Sequence, residues 1–170
     1  NADGLRPHDR VAICFEHRVR LVFNDTRKFG RVWLVNDPHT VLGNLGPEPL
    51  AEEFTHSIFY DKLHSRNRLL KPLLMDQQFL AGMGNIYTDE ALHLAGLHPL
   101  RHSGSLSRTE VEKLHRAIRE VLQEGIRRNG ASIDWVYRGG NFQNYFKVYQ
   151  KQGEPCQTCG TAIKRMLVGQ

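Results

Sequence analysis

Apolar and polar residues alternate through Val11, Ile13 and Phe15, and again through Val19, Leu21 and Phe23. Arg31-Val32-Trp33-Leu34-Val35 follows as a third extended run. Period-two alternation in three short neighbouring segments predicts an antiparallel meander. If that meander is the edge of a sheet, the rest of its sandwich is missing from these residues. Asn36-Asp37-Pro38 breaks the pattern, and Leu45-Gly46-Pro47-Glu48-Pro49-Leu50 reads as a proline-stiffened link between domains. Beyond it the period becomes helical. Phe54, Ile58 and Leu63 mark one helix, and Leu69, Leu70, Leu73 and Leu74 mark another. Gly82-Met83-Gly84-Asn85 reads as a turn, and Ile86, Ala91, Leu92 and Leu94 predict a helix running to Gly96. The clearest helix starts at Ser107, where Ser-Arg-Thr-Glu has the form of a capping box. Val111, Leu114, Ile118, Val121, Leu122 and Ile126 keep one apolar face to about Arg128, and Asn129-Gly130 ends it. In the tail, Phe146-Lys147-Val148-Tyr149 reads as a strand leading into Cys156-x-x-Cys159-Gly160, with Ile163 to Val168 as its return.

Composition narrows the class without naming it. The chain has 170 residues, 40% apolar and 24% charged, which suits one ordinary globular domain or two small ones. No apolar run reaches the roughly 18 residues of a membrane span, and the first residues carry no signal-peptide pattern. Lys and Arg outnumber Asp and Glu 23 to 18, a formal charge of +5. The cations cluster at Arg18–Arg31, Arg66–Lys71, Arg127–Arg128 and around Arg138–Lys164. Such clusters attract phosphate backbones, although they also serve as an ordinary solubilising surface. The three cysteines, an odd and sparse count beside no signal-peptide pattern, argue against a disulfide framework and for the cytosol. Cys14, alone in an alternating segment, is expected to be a small buried hydrophobe.

Four segments carry candidate chemistry. Cys156-x-x-Cys159-Gly160 has the form of half a zinc knuckle, and a redox pair or coincidence stays open. The 11 residues after Cys159 contain no Cys or His that would complete a tetrahedral set. Gly82-Met83-Gly84-Asn85 opens a helix with two glycines and an amide, a set that suits a phosphate oxygen or a tight helix–helix corner. Asp25-Thr26-Arg27-Lys28-Phe29-Gly30 joins two predicted strands. It either exposes an aromatic wedge beside cations or buries Phe29 and leaves the cations in water. Tyr137-Arg138-Gly139-Gly140-Asn141-Phe142-Gln143, with paired glycines, amide side chains and aromatics, fits a flexible ligand-covering loop or a plain connector. His8, Arg66 and Lys71 sit in no local motif.

Taken together, Asp25-x-Arg27-Lys28-Phe29-Gly30, Leu45-Gly46-Pro47-Glu48-Pro49-Leu50, Lys71-x-x-Leu74-x-Asp76-Gln77, Ala81-Gly82-Met83-Gly84-Asn85-Ile86-Tyr87-x-Asp89-Glu90-Ala91-Leu92, Phe142-Gln143 through Val148-Tyr149, and Gly153-x-Pro155-Cys156-x-x-Cys159-Gly160 resemble the formamidopyrimidine-DNA glycosylase family. The motifs follow in order across nearly the whole chain. The resemblance implies an α+β fold: the remnant of an N-terminal β-sandwich over 1–44, a helix–two-turns–helix DNA-binding domain over 45–137, and a lesion-covering loop with a partial C-terminal zinc ribbon over 138–170. It implies double-stranded DNA with a damaged base as partner, a monomer, and structural zinc held in part by Cys156 and Cys159. Arg27 resembles the arginine that faces the orphaned base, and Phe29 the wedge beside it. Gly84 and Asn85 resemble the phosphate grip. Lys28, His8, Arg66 and Lys71 fall where the family places further DNA contacts. Residues 137–141 (Tyr137, Arg138, Gly139, Gly140 and Asn141) resemble the lesion-covering loop, shorter than is usual there.

The departures bear on activity. The family's nucleophile is an N-terminal proline, an amine that attacks the sugar carbon of the damaged nucleotide to form a Schiff base. Neither that proline nor the adjacent glutamate has a counterpart here, and the finger's second cysteine pair is also unmatched. The expectation is therefore the DNA-binding portion of a bifunctional glycosylase and AP lyase for oxidised purines, inactive as this chain alone. A non-catalytic DNA-binding module is the alternative, and a sister branch acting on oxidised pyrimidines is a third.

Overall fold

The computed structural model describes residues 4–132 and 139–168. The chain divides into two compact units, residues 1–40 and 41–170. It combines helices with one small antiparallel sheet.

In the first unit, β1 (Asp9–Cys14) pairs antiparallel with β2 (Arg20–Asn24). Val11 faces Phe23 and Ile13 faces Leu21, so the residues picked out by alternation share one face. A bulge between Asp9 and Val11 interrupts the register. Two expectations fail in this unit. Residues 31–35 form no strand: no backbone hydrogen bond joins them to β2, and Val32, Trp33 and Leu34 are exposed. Alternation supplies a face but not the partner that a strand's N–H and C=O groups require. Cys14 is not buried either. It is exposed, as are Ile13, Phe15 and Leu21, because no described residue of this unit covers the sheet.

The second unit is helical. A single turn, α1 (His39–Leu42), crosses the boundary from the first unit and starts where the Asp37 carboxylate accepts from the His39 amide at 2.9 Å. Next come α2 (His56–His64) and α3 (Leu70–Leu74), then α4 (Asn85–Ala95) and α5 (Arg108–Arg127). Thr55 caps α2, and Ser107 with Glu110 forms the expected capping box on α5. Gly96, at φ +67°, ends α4 in a left-handed turn that a β-carbon would strain. Val111, Leu114, Ile118 and Val121 of α5 pack with Phe59, Leu63, Leu73 and Leu92 in one core. Each such side chain contributes roughly 1.5–3 kcal/mol of burial.

The tail departs from the strand expectation. Residues 142–145 form a 3-10 turn, and Phe146–Tyr149 is not a strand. The amides of Lys147, Val148 and Tyr149 donate instead to the carboxylate of Glu90 on α4, at 2.8, 3.0 and 2.8 Å. Phe142 and Phe146 point into the core. Ile163–Val168 is likewise no regular strand. In this segment Pro155 and Ala162 form one isolated bridge, flanked by the Ile163 amide donating to the Glu154 carbonyl and the Gly153 amide to the Ile163 carbonyl, each at 2.9 Å.

Candidate nucleic-acid interface

The loop after β2 is built around one carboxylate. Asp25 accepts from the amides of Arg27 and Lys28 at 3.0 Å and from Gly30 at 2.7 Å. The Gly30 amide is the main cause that holds the Asp25 carboxyl below its ordinary pKa, with the Lys28 and Arg27 amides adding to it. Lys28 takes a left-handed φ of +62°, which turns the chain back. Gly30 has no room for a side chain, since a β-carbon would lie 2.3 Å from the Phe23 ring. Folded this way, the loop does not bury its aromatic: Phe29 is 79% exposed. The Arg27 guanidinium stands 5.8 Å from the centre of that ring. His8 is exposed, and its carbonyl accepts from the Asp25 amide at 3.0 Å. This unit therefore gathers His8, Arg27, Lys28 and Phe29 around one loop.

In the second unit, the two turns between α3 and α4 are held by Gln77. Its side-chain amide donates to the carbonyls of Met75 and Met83 at 3.1 and 2.7 Å, and its oxygen accepts from Gly82 at 2.9 Å. The proline-stiffened link docks on the same turns, with the Gly46 amide donating to the Gln77 carbonyl and Ala81 to Pro47. A β-carbon on Gly46 would lie 2.5 Å from the Phe79 backbone, so that position requires glycine. Gly82, at φ +77°, needs glycine for its conformation, and Gly84 is extended. Around both there is open space, so neither serves as a packing corner.

Gly84 is the N-cap of α4, and no side chain caps that end. The first-turn amides are thus left for water or an anion, at the positive end of the helix dipole. Asn85 is exposed there, and its side-chain amide lies 3.5 Å from the Tyr149 hydroxyl. Lys71, on α3, pairs at 2.8 Å with Asp89, one helical turn along α4 from Asn85, and its side chain is only 12% exposed. Arg66 is exposed and has no side-chain partner among the described residues. Arg68 pairs with Asp76, and Arg127 and Arg128 both pair with Glu124. The basic clusters at Arg66–Lys71 and Arg127–Arg128 are consequently much less cationic than their sequence suggests.

Tyr137 and Arg138 lie outside the described residues. Gly139, Gly140 and Asn141 belong to a stitched base: the Ser132 hydroxyl donates to the Gly140 carbonyl at 2.7 Å, and the Asn141 amide donates to the Arg128 carbonyl at 3.0 Å. Gly140 is buried so tightly that a β-carbon would lie 2.1 Å from the Gly130 carbonyl oxygen.

Cys156 and Cys159 form a knuckle, with the Gly160 amide donating to the Cys156 carbonyl at 2.8 Å. The Thr158 amide, 3.4 Å from the Cys156 sulfur, leads the contacts that lower the Cys156 thiol pKa. Two thiols with amides turned toward a sulfur suit half of a tetrahedral zinc site. No cluster of three or more His, Cys, Asp or Glu side chains exists among the described residues, so the set is incomplete there.

Three of these residues stand in the motifs quoted from the sequence without a role assigned to them. Asp25 has the short acidic side chain that commonly accepts local loop amides, so its role was legible. Glu90 was marked by a charge four residues after Ile86 and beside Ala91, on the stripe expected to face inward. Gln77 closes the Lys71-x-x-Leu74-x-Asp76-Gln77 motif, but nothing in its local pattern marks it as the residue that holds the two turns.

Comparison with known proteins agrees with the geometry. Residues 45–136 match the sequence profile of the formamidopyrimidine-DNA glycosylase H2TH domain. A formamidopyrimidine-DNA glycosylase of Chloroflexus aggregans is 43% identical over 170 residues, covering 96% of this chain and 62% of that relative. The crystal structure of MutM (Fpg) from Thermus thermophilus superposes with a TM-score of 0.87 at 42% identity, covering 96% of this chain and 65% of that one. A Lactococcus lactis Fpg mutant, solved in complex with DNA containing Fapy-dG, superposes at 0.85 with 36% identity, covering 96% and 63%. The chain thus spans about three-fifths of the length of these relatives. None of its described helices is long and apolar enough to cross a membrane. With more than half of its residues in the matched domain, the chain belongs to the formamidopyrimidine-DNA glycosylase H2TH family.

Proposed function

We propose that this chain is the DNA-gripping portion of a base-excision-repair glycosylase and AP lyase that acts on oxidised purines. The observation that carries the reading is the uncapped start of α4, where Gly84 leaves open space and Asn85 is exposed beside the Tyr149 hydroxyl. Outward amides, a side-chain amide and a phenol are the donors that a phosphodiester oxygen takes. Chemistry on a stacked base requires extruding it, at a cost of a few kcal/mol, and the vacated space must be filled. Phe29, exposed on a loop held by Asp25, is suited to enter a base step, and Arg27 to face the unpaired base. Lys28, His8, Arg66 and Lys71 are read as further backbone contacts, and 137–141 as the lesion-covering loop. The functional segments are 1–44, 45–137 and 138–170.

The partner is double-stranded DNA carrying a damaged base, met by a monomer in the cytoplasm. Structural zinc would take two thiolates from Cys156 and Cys159 and two ligands from elsewhere, and it would stiffen the knuckle without entering the reaction. On this reading none of these residues supplies the proline amine, and the chain on its own is expected to bind without cutting.

The test incubates the 170-residue chain with an 8-oxoguanine duplex and borohydride, and measures its affinity for the same duplex over a range of salt. The expected result is salt-sensitive binding with no trapped covalent adduct. A trapped adduct would show a nucleophile within these residues. Absence of any duplex binding would overturn the reading.

A further inference from the structure

Glu90 is an acidic side chain 4% exposed on α4, with no ion pair among the described residues. A buried carboxylate is costly unless strong hydrogen bonds offset its lost hydration. Here both oxygens are used: one accepts from the Lys147 amide, the other from Val148 and Tyr149. Consecutive amides converging on one oxygen pair form a nest, a geometry usually found around a bound anion. In this protein the anion is the chain's own carboxylate. Its effect is to fix the backbone of Tyr149 to α4.

The ring of Tyr149 is fixed by a second, independent set of contacts. It meets Phe146 edge-on at 5.4 Å, Phe146 meets Phe142 at 5.4 Å, and Phe142 stacks on Tyr87 at 5.3 Å. Tyr87 is two residues from Asn85 on the same helix. The aromatic chain therefore begins and ends at the start of α4, and the Tyr149 hydroxyl comes to rest beside the Asn85 amide. We propose that Glu90 is a positioning residue that holds the 147–149 turn so that Tyr149 and Asn85 donate to the same phosphodiester oxygen. This rests on the DNA-binding reading above. Only a carboxylate suits the position, because a glutamine would turn its own N–H groups toward at least one of the three amides.

The experiment compares Glu90→Gln, Glu90→Asp, Tyr149→Phe and the double variant Glu90→Gln/Tyr149→Phe in the full 170-residue chain. Hydrogen exchange of the free protein is read first, without DNA. Glu90→Gln is expected to speed exchange at 147–149 by about tenfold or more, leaving the α5 amides unchanged. Unchanged exchange at 147–149 would overturn the proposal whatever the DNA result. Affinity for a duplex with an abasic-site analogue is read second. Glu90→Gln is expected to weaken it by about tenfold in the parent chain and by less than about twofold in the Tyr149→Phe background. Equal losses in both backgrounds would show that Glu90 does not act through the hydroxyl, and would overturn the proposal. Should Glu90→Gln fail to fold, Glu90→Asp, which keeps the charge with a shorter reach, is expected to give the same coupling at smaller size, and no coupling would overturn it. A parent chain that binds no duplex would overturn the DNA reading itself, a result separable from the exchange data on Glu90.

Discussion

Two carboxylates show how a single residue decides where neighbouring groups point. Asp25 collects the Arg27, Lys28 and Gly30 amides, and so turns Phe29 outward. Asp25→Asn keeps one acceptor oxygen and replaces the other with a donor facing the Gly30 amide. Affinity for a damaged duplex is expected to fall severalfold while the second unit's melting is unchanged, as followed by binding titration and circular dichroism. The Asp25 carboxyl sits below its ordinary pKa, so the loop is stabilised by the charged form. That contribution is complete above about pH 4 and is lost as pH falls through the depressed value, which the Gly30 amide resonance will report in an NMR titration. Glu110 follows the same sign with a larger shift. Arg101, with help from the Ser107 amide, lowers its pKa from 4.5 to about 2. Glu110→Gln should therefore cost about 1 kcal/mol at pH 6 and progressively less as pH drops from about 4.5 toward 2, measured by urea unfolding. A constant difference across that range would mean that the charge is not what caps α5.

At the scale of elements, legibility followed how far each signal is local. The capping box at Ser107, the apolar stripe of α5 and the glycine stop of α4 lie within a few residues of the structure they specify, and all three form, except that Ile126 at the end of the stripe is exposed. Residues 31–35 and 146–149 carried strand-like patterns as well. A strand, however, is completed by a partner, and the amides of 147–149 found theirs in a side chain some 57 residues away. Nor does pattern reveal where a helix leaves no room for a side chain. On α5, a β-carbon at Gly125 would lie 2.6 Å from the Tyr87 ring, so the α4–α5 contact is set by a residue with no side chain. Gly125→Ala should push Tyr87 off its stack with Phe142 and cost about 1–3 kcal/mol, even though alanine is the better helix former. Thermal unfolding decides the sign. A stabilised variant would show that Tyr87 moves aside freely and that the aromatic chain does not depend on that contact.

For the whole molecule, charge alone is a poor guide to what the chain grips. Its formal +5 is modest, and the cations of Arg68, Lys71, Arg127 and Arg128 are already engaged by Asp76, Asp89 and Glu124. On the proposed DNA-binding reading, recognition falls largely to neutral donors at the start of α4 and to the exposed loop of the first unit, and the two should fail differently. On that reading Asn85→Ala removes a donor to the phosphate backbone, which every duplex has. Its affinity loss should be about the same for damaged and undamaged DNA, near the roughly 1 kcal/mol expected of a hydrogen bond. Because asparagine is neutral, the number of counterions released barely changes. The slope of log Kd against log salt should therefore shift by much less than the roughly 0.9 lost with each cationic phosphate contact. Phe29→Ala touches no phosphate. It should leave undamaged binding nearly intact and weaken the damaged duplex, where a base step is already open and the ring has somewhere to go. The pair of variants measured on both duplexes separates the roles. If Phe29→Ala weakened both equally, the ring would be an ordinary surface contact. If Asn85→Ala spared the undamaged duplex, the start of α4 would be reading the lesion rather than holding the backbone.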